Sequence, residues 1–225
     1  MGDVELRVLD DPSTAAAELL AEAANAGGHV ALAGGSTVGP AYRTTAALAP
    51  DWSRVEVWWG DERAVPPDDE RSNYRLTRES LLDLLETPPA AVHRVEGELG
   101  AAEAARRYDE ALADVTLDLA VNGIGPDGHT ASLFPNAPAL DERERRAVAA
   151  EPGLEPFVAR VTLTPQVFDS AELLVYLVTG SAKADAVRRA FAEEPSPATP
   201  ASLVRGRRTI ALLDPAAAMR LPGAA

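Results

Sequence analysis

The residue best suited to proton chemistry is His129, in the run Asn122-Gly-Ile-Gly-Pro-Asp-Gly-His-Thr-Ala-Ser-Leu-Phe-Pro135. An imidazole titrates near neutral pH, so it can take a proton from water and return it to a leaving oxygen. Asp127, two residues earlier, is a candidate orienting carboxylate. The chain has 3 histidines and no cysteine, which removes thiol nucleophiles and thiolate metal sites and leaves no His cluster for zinc. His29 and His93 have no catalytic neighbours in sequence and are read as structural.

A second group is cationic. Lys183 is the only lysine among 21 basic residues and follows Gly180-Ser-Ala. A lysine at a helix start opposes the macrodipole, a cost that a bound anion would offset; the alternative is an exposed surface lysine. Arg160 lies in Ala-Arg-Val-Thr-Leu-Thr164. Gly34-Gly35-Ser36-Thr37, between a strand and a helix, offers free N–H groups and two hydroxyls to an anion. Equally, Ser36 or Thr37 could simply cap its own helix. Val38 excludes a Gly-x-Ser-x-Gly nucleophile elbow, and the loop lacks the Gly-Lys-Ser/Thr ending of a P-loop. In Trp58-Trp-Gly-Asp-Glu-Arg63, the three charged side chains could orient a polyhydroxylated substrate, with Arg63 reaching an anionic or carbonyl oxygen. Alternatively, Asp61 and Arg63 form a local salt bridge.

Gly123-Ile-Gly125-Pro-Asp-Gly128 also fits the dinucleotide pattern G-x-G-x-x-G, with Glu151 at about the spacing of a ribose contact. That fold needs an uninterrupted helix after the third glycine, and Pro135 and Pro138 truncate it after little more than a turn. Pro126 removes one N–H that a pyrophosphate would use.

The elements that must carry these loops alternate along the chain. Strands are expected at Val4–Leu9, His29–Ala33, Val55–Trp59, Leu117–Val121, Ala147–Ala150, Val158–Leu163, Leu173–Thr179 and Thr209–Leu213. Helices are expected at Pro12–Asn25, after Thr37 to about Leu48, at Asn73–Leu85, Ala101–Ala113 and Ser181–Ala192, with Gly60–Ser72 a polar loop. Apolar strands separated by helices predict one α/β domain over residues 1–225, a mainly parallel sheet covered on both faces. Ligands in such sheets sit beyond the carboxyl ends of the strands. Gly34–Thr37, Gly60–Arg63 and Gly123–Thr130 all follow strands and should converge on one rim.

The formal net charge is −14, which disfavours nucleic acid and anionic membrane surfaces as partners. The N-terminal residues carry no targeting pattern and no run has the length of a membrane span, so the expected location is cytoplasmic.

Several motifs in order resemble those of the 6-phosphogluconolactonases in the glucosamine-6-phosphate isomerase/6-phosphogluconolactonase family. They are Gly-Gly-Ser-Thr37, Trp-Gly-Asp-Glu-Arg63 with Val-Pro-Pro-Asp68 and Ser-Asn-Tyr74, Gly-Pro-Asp-Gly-His-Thr-Ala-Ser-Leu-Phe-Pro135, Arg-Val-Thr-Leu-Thr164, Leu-Val-Thr-Gly-Ser-Ala-Lys-Ala184 and Pro-Ala-Ser-Leu-Val204. The chain departs from the pattern at Ala33, where serine is often seen, at Val38, where proline is usual, and at Asn122, where an apolar or small residue is common. The resemblance implies a three-layer α/β/α Rossmann-like domain, as in glucosamine-6-phosphate deaminase and ribose-5-phosphate isomerase. It implies hydrolysis of 6-phospho-D-glucono-1,5-lactone to 6-phosphogluconate without metal or cofactor, by a monomer or weak homodimer. His129 would act as general base and then acid, with Asp127 or Asp61 orienting it or the sugar hydroxyls. Arg63 or glycine-loop N–H groups would meet the oxyanion. Gly34, Gly35, Ser36, Thr37, Arg160 and Lys183 would hold the phosphate. The rival within the resemblance is a deaminase-like sugar-phosphate isomerase, but those proteins carry Asp-Glu-Tyr where this chain has Asp61-Glu-Arg63. A non-catalytic sugar-phosphate sensor would be expected to lose the histidine, and His129 is present.

Overall fold

Seven strands form one parallel sheet in a computed structural model that describes residues 4–153 and 155–223. Residues 1–3, part of the N-terminus inspected for a targeting pattern, lie outside the described residues. The strands are β1 (Val4–Val8), β2 (Gly28–Leu32), β3 (Val55–Trp59), β5 (Ala91–Val92), β6 (Leu119–Asn122), β9 (Leu173–Val178) and β10 (Arg208–Leu213). Their order across the sheet is β1-β10-β9-β6-β2-β3-β5. Three more strands, β4 (Asp61–Arg63), β7 (Ala147–Ala150) and β8 (Arg160–Leu163), make a small antiparallel sheet in the order β4-β8-β7.

Each central strand feeds two cores, because successive side chains point to opposite faces. Leu119 and Val121, Val175 and Leu177, and Ile210 and Leu212 face one core. It is closed by α1 (Pro12–Ala26) and α2 (Val38–Ala47), with α3 (Asn73–Ser80) beside them. Ala120, Leu174 and Tyr176, and Ala211 and Leu213 face the other core, which includes Ala104 and Tyr108 of α4 (Ala101–Ala111). The small sheet and three further helices, α5 (Pro165–Ser170), α6 (Ala184–Phe191) and α7 (Pro215–Ala218), complete that layer. Burial on both faces explains why the strands read as continuous apolar runs.

The expected three-layer α/β/α arrangement is therefore present, with local differences. The polar stretch after β3 contains a strand, β4. The helix begun at Asn73 stops at Ser80: Leu81 leaves helical geometry at φ −136° and is fully buried, and only a short 3-10 turn follows at Leu82–Leu84. The segment Ser181–Lys183 is also a 3-10 turn, so α6 starts at Ala184. No α-helix opens at Gly128: the chain runs through turns to a 3-10 turn at Pro138–Asp141, a stronger departure from a dinucleotide fold than truncation by proline. Helix α1 covers the expected Pro12–Asn25 and one residue more, with Asp11 accepting from the N–H groups of Ser13 and Thr14 and Gly27 closing it at φ +83°.

Two buried tyrosines fix the strand ends that carry the polar loops. Backbone groups beyond the ladder still need partners. The Tyr42 hydroxyl of α2 accepts from Ala33 N–H at 2.9 Å and donates to Ala33 C=O at 2.7 Å, just past β2. The Tyr108 hydroxyl of α4 accepts from Trp59 N–H at 2.7 Å and donates to Trp59 C=O at 3.1 Å, at the end of β3. Tyr108→Phe leaves both Trp59 groups buried and unpaired. The expected loss is about 1–3 kcal/mol, read from the denaturant midpoint; an unchanged midpoint would show that water replaces the hydroxyl.

Candidate functional site

The loops after β2, β6 and β9 meet at one end of the parallel sheet, and β4 and β8 supply the facing wall. The cleft between them is lined by Gly34, Gly35, Ser36 and Thr37, by Asp61 and Arg63, and by His129, Arg160 and Lys183. Asp127 lies behind His129 rather than in the lining. All ten residues singled out from sequence are thus gathered at one place.

The His129 dyad is set by local backbone geometry. Pro126 to Gly128 form a tight turn in which Gly128 N–H donates to Gly125 C=O at 2.9 Å and Gly125 N–H to His129 C=O at 2.8 Å. Asp127 Oδ1 then accepts from His129 N–H at 3.1 Å and sits 2.6 Å from His129 Nδ1. A carboxylate at Nδ1 fixes the tautomer with the proton there, leaving Nε2 as the free base. Gly125 is required: a Cβ on it would lie 2.1 Å from the imidazole and 2.6 Å from Asp127 Oδ1. Gly128 adopts φ +97°, and a Cβ there would meet Thr199. Burial pushes the Asp127 carboxyl up, but the bond and charge of His129 outweigh it, and the net displacement is downward.

After His129 the chain turns through Ala131 at φ +50° and closes a Thr130–Leu133 bridge, which aims Ser132 inward. The Ser132 hydroxyl donates to Asp61 Oδ2 at 2.6 Å, and its N–H donates to Thr162 Oγ1 at 3.2 Å. Asp61 and Thr162 are cross-strand partners of β4 and β8, so one serine stitches the histidine loop to the small sheet. Phe134 lies 4.8 Å from the His129 ring, and the Arg160 guanidinium carbon is 5.5 Å from the Phe134 centroid.

Asp61 and Arg63 do not form the local salt bridge considered from sequence. Asn73 stands between them: its Nδ2 donates to Asp61 C=O at 2.9 Å and to Asp61 Oδ1 at 3.1 Å, while its Oδ1 accepts from Arg63 Nη1 at 2.5 Å. Gly34 makes room for it, since a Cβ at Gly34 would fall 1.7 Å from Asn73 Oδ1. Asn73 was not among the sequence candidates. The available signal was its position: Ser72 already caps α3 by accepting from Arg75 N–H, leaving the next polar side chain free for another task. Glu62, grouped with Asp61 and Arg63 as a substrate-orienting side chain, is instead structural. It is buried, and it accepts from the N–H groups of Arg63, Asn73 and Tyr74 and the Ser72 hydroxyl. Burial pushes its carboxyl up against those donors.

In the Gly34–Thr37 loop, Thr37 occupies the N-cap position of α2 without a side-chain capping bond, so the simple capping alternative does not hold. Gly35 takes φ +97°. Lys183 lines the same cleft. Burial lowers its ammonium pKa, with Asp127 pulling the other way. Burial likewise lowers the Arg160 pKa, opposed by Asp61. Two cations in a partly dry cleft, beside an uncapped helix N-terminus, suit an anionic group. Two donors on the cleft, Arg63 Nε and Asn122 Nδ2, are buried without a partner, each a cost of about 1–3 kcal/mol unless something else accepts from it.

His29 and His93 lie away from the cleft. The Trp58 indole N–H donates to His29 Nδ1 at 3.1 Å, and His93 stacks on Trp58 at 3.9 Å while its Nε2 sits 2.7 Å from Glu56. Among the described residues no group of three or more His, Cys, Asp or Glu side chains is placed to hold a metal ion, and no helix is long and apolar enough to cross a membrane.

Residues 7–212 match the family model described as glucosamine-6-phosphate isomerases/6-phosphogluconolactonase. The chain belongs to that family. A 6-phosphogluconolactonase of Mycobacterium leprae is 39% identical over 187 residues, 77% of this chain and 76% of that protein. The solved structure of the 6-phosphogluconolactonase from Trypanosoma brucei superposes with a TM-score of 0.84 at 27% identity, covering 99% of this chain and all of that one. A monomeric glucosamine-6-phosphate deaminase superposes with a TM-score of 0.82 at 21% identity, covering 97% of this chain and 100% of that one, and shares the fold. The family's description names both isomerases and lactonases.

The dyad gives a direct test. Asp127, with its carboxyl depressed, contributes stability that is present above the unfolded-chain value and lost as pH falls through the folded one. Gly125→Ala drives the imidazole away, so the Asp127 carboxyl, followed by carbon-detected NMR titration, is expected to move up. A titration identical to that of the parent protein would show that Gly125 does not hold the pair.

Proposed function

We propose that the chain hydrolyses 6-phospho-D-glucono-1,5-lactone to 6-phosphogluconate, the lactonase step of the oxidative pentose phosphate pathway. The observation that carries this reading is the His129–Asp127 pair opening onto a cleft that also holds Arg63, Arg160, Lys183 and the start of α2. We read the enzyme as a single cytoplasmic domain, a monomer or weak homodimer, acting without a cofactor.

Asp127 holds the Nδ1 proton, so His129 Nε2 takes a proton from water as the water oxygen attacks the lactone carbonyl carbon. The negative charge that develops on the carbonyl oxygen is met by the Arg63 guanidinium, anchored by Asn73 and the Arg71 carbonyl. The protonated imidazole then delivers its proton to the ring oxygen as the carbon–oxygen bond breaks. Of the two carboxylates considered as orienting group, Asp127 is the one bonded to the imidazole, while Asp61, held by Ser132 and Asn73, faces the sugar hydroxyls. The phosphate is held by the N–H groups and hydroxyls of Gly34–Thr37 together with Lys183 and Arg160. Arg63 stands where deaminases carry tyrosine, which favours the lactonase over the isomerase reading.

His129→Ala is expected to lower kcat for the phosphorylated lactone by about 10²–10⁴-fold while 6-phosphogluconate still binds. Lys183→Ala is expected to raise KM with kcat little changed, the pattern of a lost binding contact. Near-normal turnover in the first variant, or an unchanged KM in the second, would overturn the corresponding role.

A further inference from the structure

We infer that Asn122 is a substrate-contacting residue that hydrogen-bonds a hydroxyl of the sugar, and that it sets specificity at the floor of the cleft. The inference rests on the lactonase reading above and extends it to a residue outside the motifs that carry the family resemblance.

Asn122 ends β6, the strand between β2 and β9, immediately before the Gly123–Gly125 turn. It therefore lies between the Gly34–Thr37 loop, which follows β2, and Thr179 and Lys183, which follow β9. The residue is 1% exposed, and its Nδ2 has no hydrogen-bond partner. Its Oδ1 is turned toward Gly60, where a Cβ would come within 3.2 Å. The neighbours on its strand, Leu119, Ala120 and Val121, are all apolar and buried, and an apolar or small residue would complete this position at no polar cost.

A buried carboxamide with an unused donor is destabilising unless a ligand satisfies it. Positions that sacrifice stability in this way concentrate where binding requires the group. The ligand atom follows from the geometry of the cleft. With phosphate at the start of α2 and the reacting carbonyl at His129, the part of the substrate above β6 is the hydroxyl-bearing carbon chain. A sugar hydroxyl oxygen can accept from Nδ2, which an apolar ring face cannot do. A site built to bond a substrate hydroxyl also discriminates strongly against analogues that lack it.

The test compares the parent protein with N122L and N122A, measuring kcat/KM for 6-phosphogluconolactone, affinity for 6-phosphogluconate by calorimetry, and Tm. The inference predicts a fall of about 10–100-fold in kcat/KM and a parallel weakening of 6-phosphogluconate binding, with Tm in N122L equal to or above that of the parent. N122A, which cannot overpack the site, is expected to show the same loss of activity. Undiminished kcat/KM in either folded variant would overturn the inference and leave the lactonase reading intact. Failure of the parent protein to open the lactone would overturn the lactonase reading itself, and the substrate role of Asn122 with it.

Discussion

The site depends on one topological constraint: β2 and β6 are neighbours in the sheet, but the chain leaves their carboxyl ends in different directions. From β2 it runs through α2 toward β3 and one outer edge. From β6 it passes through the histidine loop and the small antiparallel sheet before returning at β9, on the other side of β6. No crossover covers the gap between them, so a crevice opens where backbone N–H groups have no ladder partners. The glycine loop, the His129 turn and Lys183 are brought together by this divergence and by the short pairing of parallel strands beneath them.

The small antiparallel sheet gives the crevice its far wall; its apolar side joins the core, and its attachment at the cleft is polar. Ser132 reaches Asp61, Asn73 bridges Asp61 and Arg63, and Glu62 gathers the first N–H groups of α3. Each of these bonds satisfies a group that would otherwise be buried alone, so together they fix the wall in one arrangement. Two of the buried donors left without a partner, Arg63 Nε and Asn122 Nδ2, lie on the cleft side of this network, where a substrate can supply the missing acceptors.

Much of this was legible in the sequence because the central strands are buried on both faces and therefore read as unbroken apolar runs. Val55–Trp59 and Ala147–Ala150 fall where the pattern put them, and α1 ends one residue beyond its expected end at Asn25. The glycines around His129 and the hydroxyls after Gly35 were visible as loop chemistry at strand ends. What local sequence could not give was tertiary. Strand β4 is three charged residues, Asp-Glu-Arg, and is a strand only because β8, far along the chain, pairs with it. Helix α3 stops early because Leu81 turns into the core. Asn73 looked like an ordinary residue at a helix start, and its bridging role exists only once Gly34 passes within contact distance. Asn122 was visible as a departure from a pattern, but its unpaired amide was not.

A general base at His129 acting on a substrate anchored by its phosphate can be probed by varying the anchor and leaving the base alone. Stopped-flow rates of lactone opening by the intact protein should be compared for 6-phosphogluconolactone and for gluconolactone without phosphate. The expected kcat/KM for the phosphorylated lactone exceeds that for the plain lactone by about 10³-fold or more, as loss of a charged, partly buried contact of several kcal/mol implies. Equal values for the two lactones would contradict it, because the uncapped α2 terminus, Lys183 and Arg160 would then have no substrate group to hold.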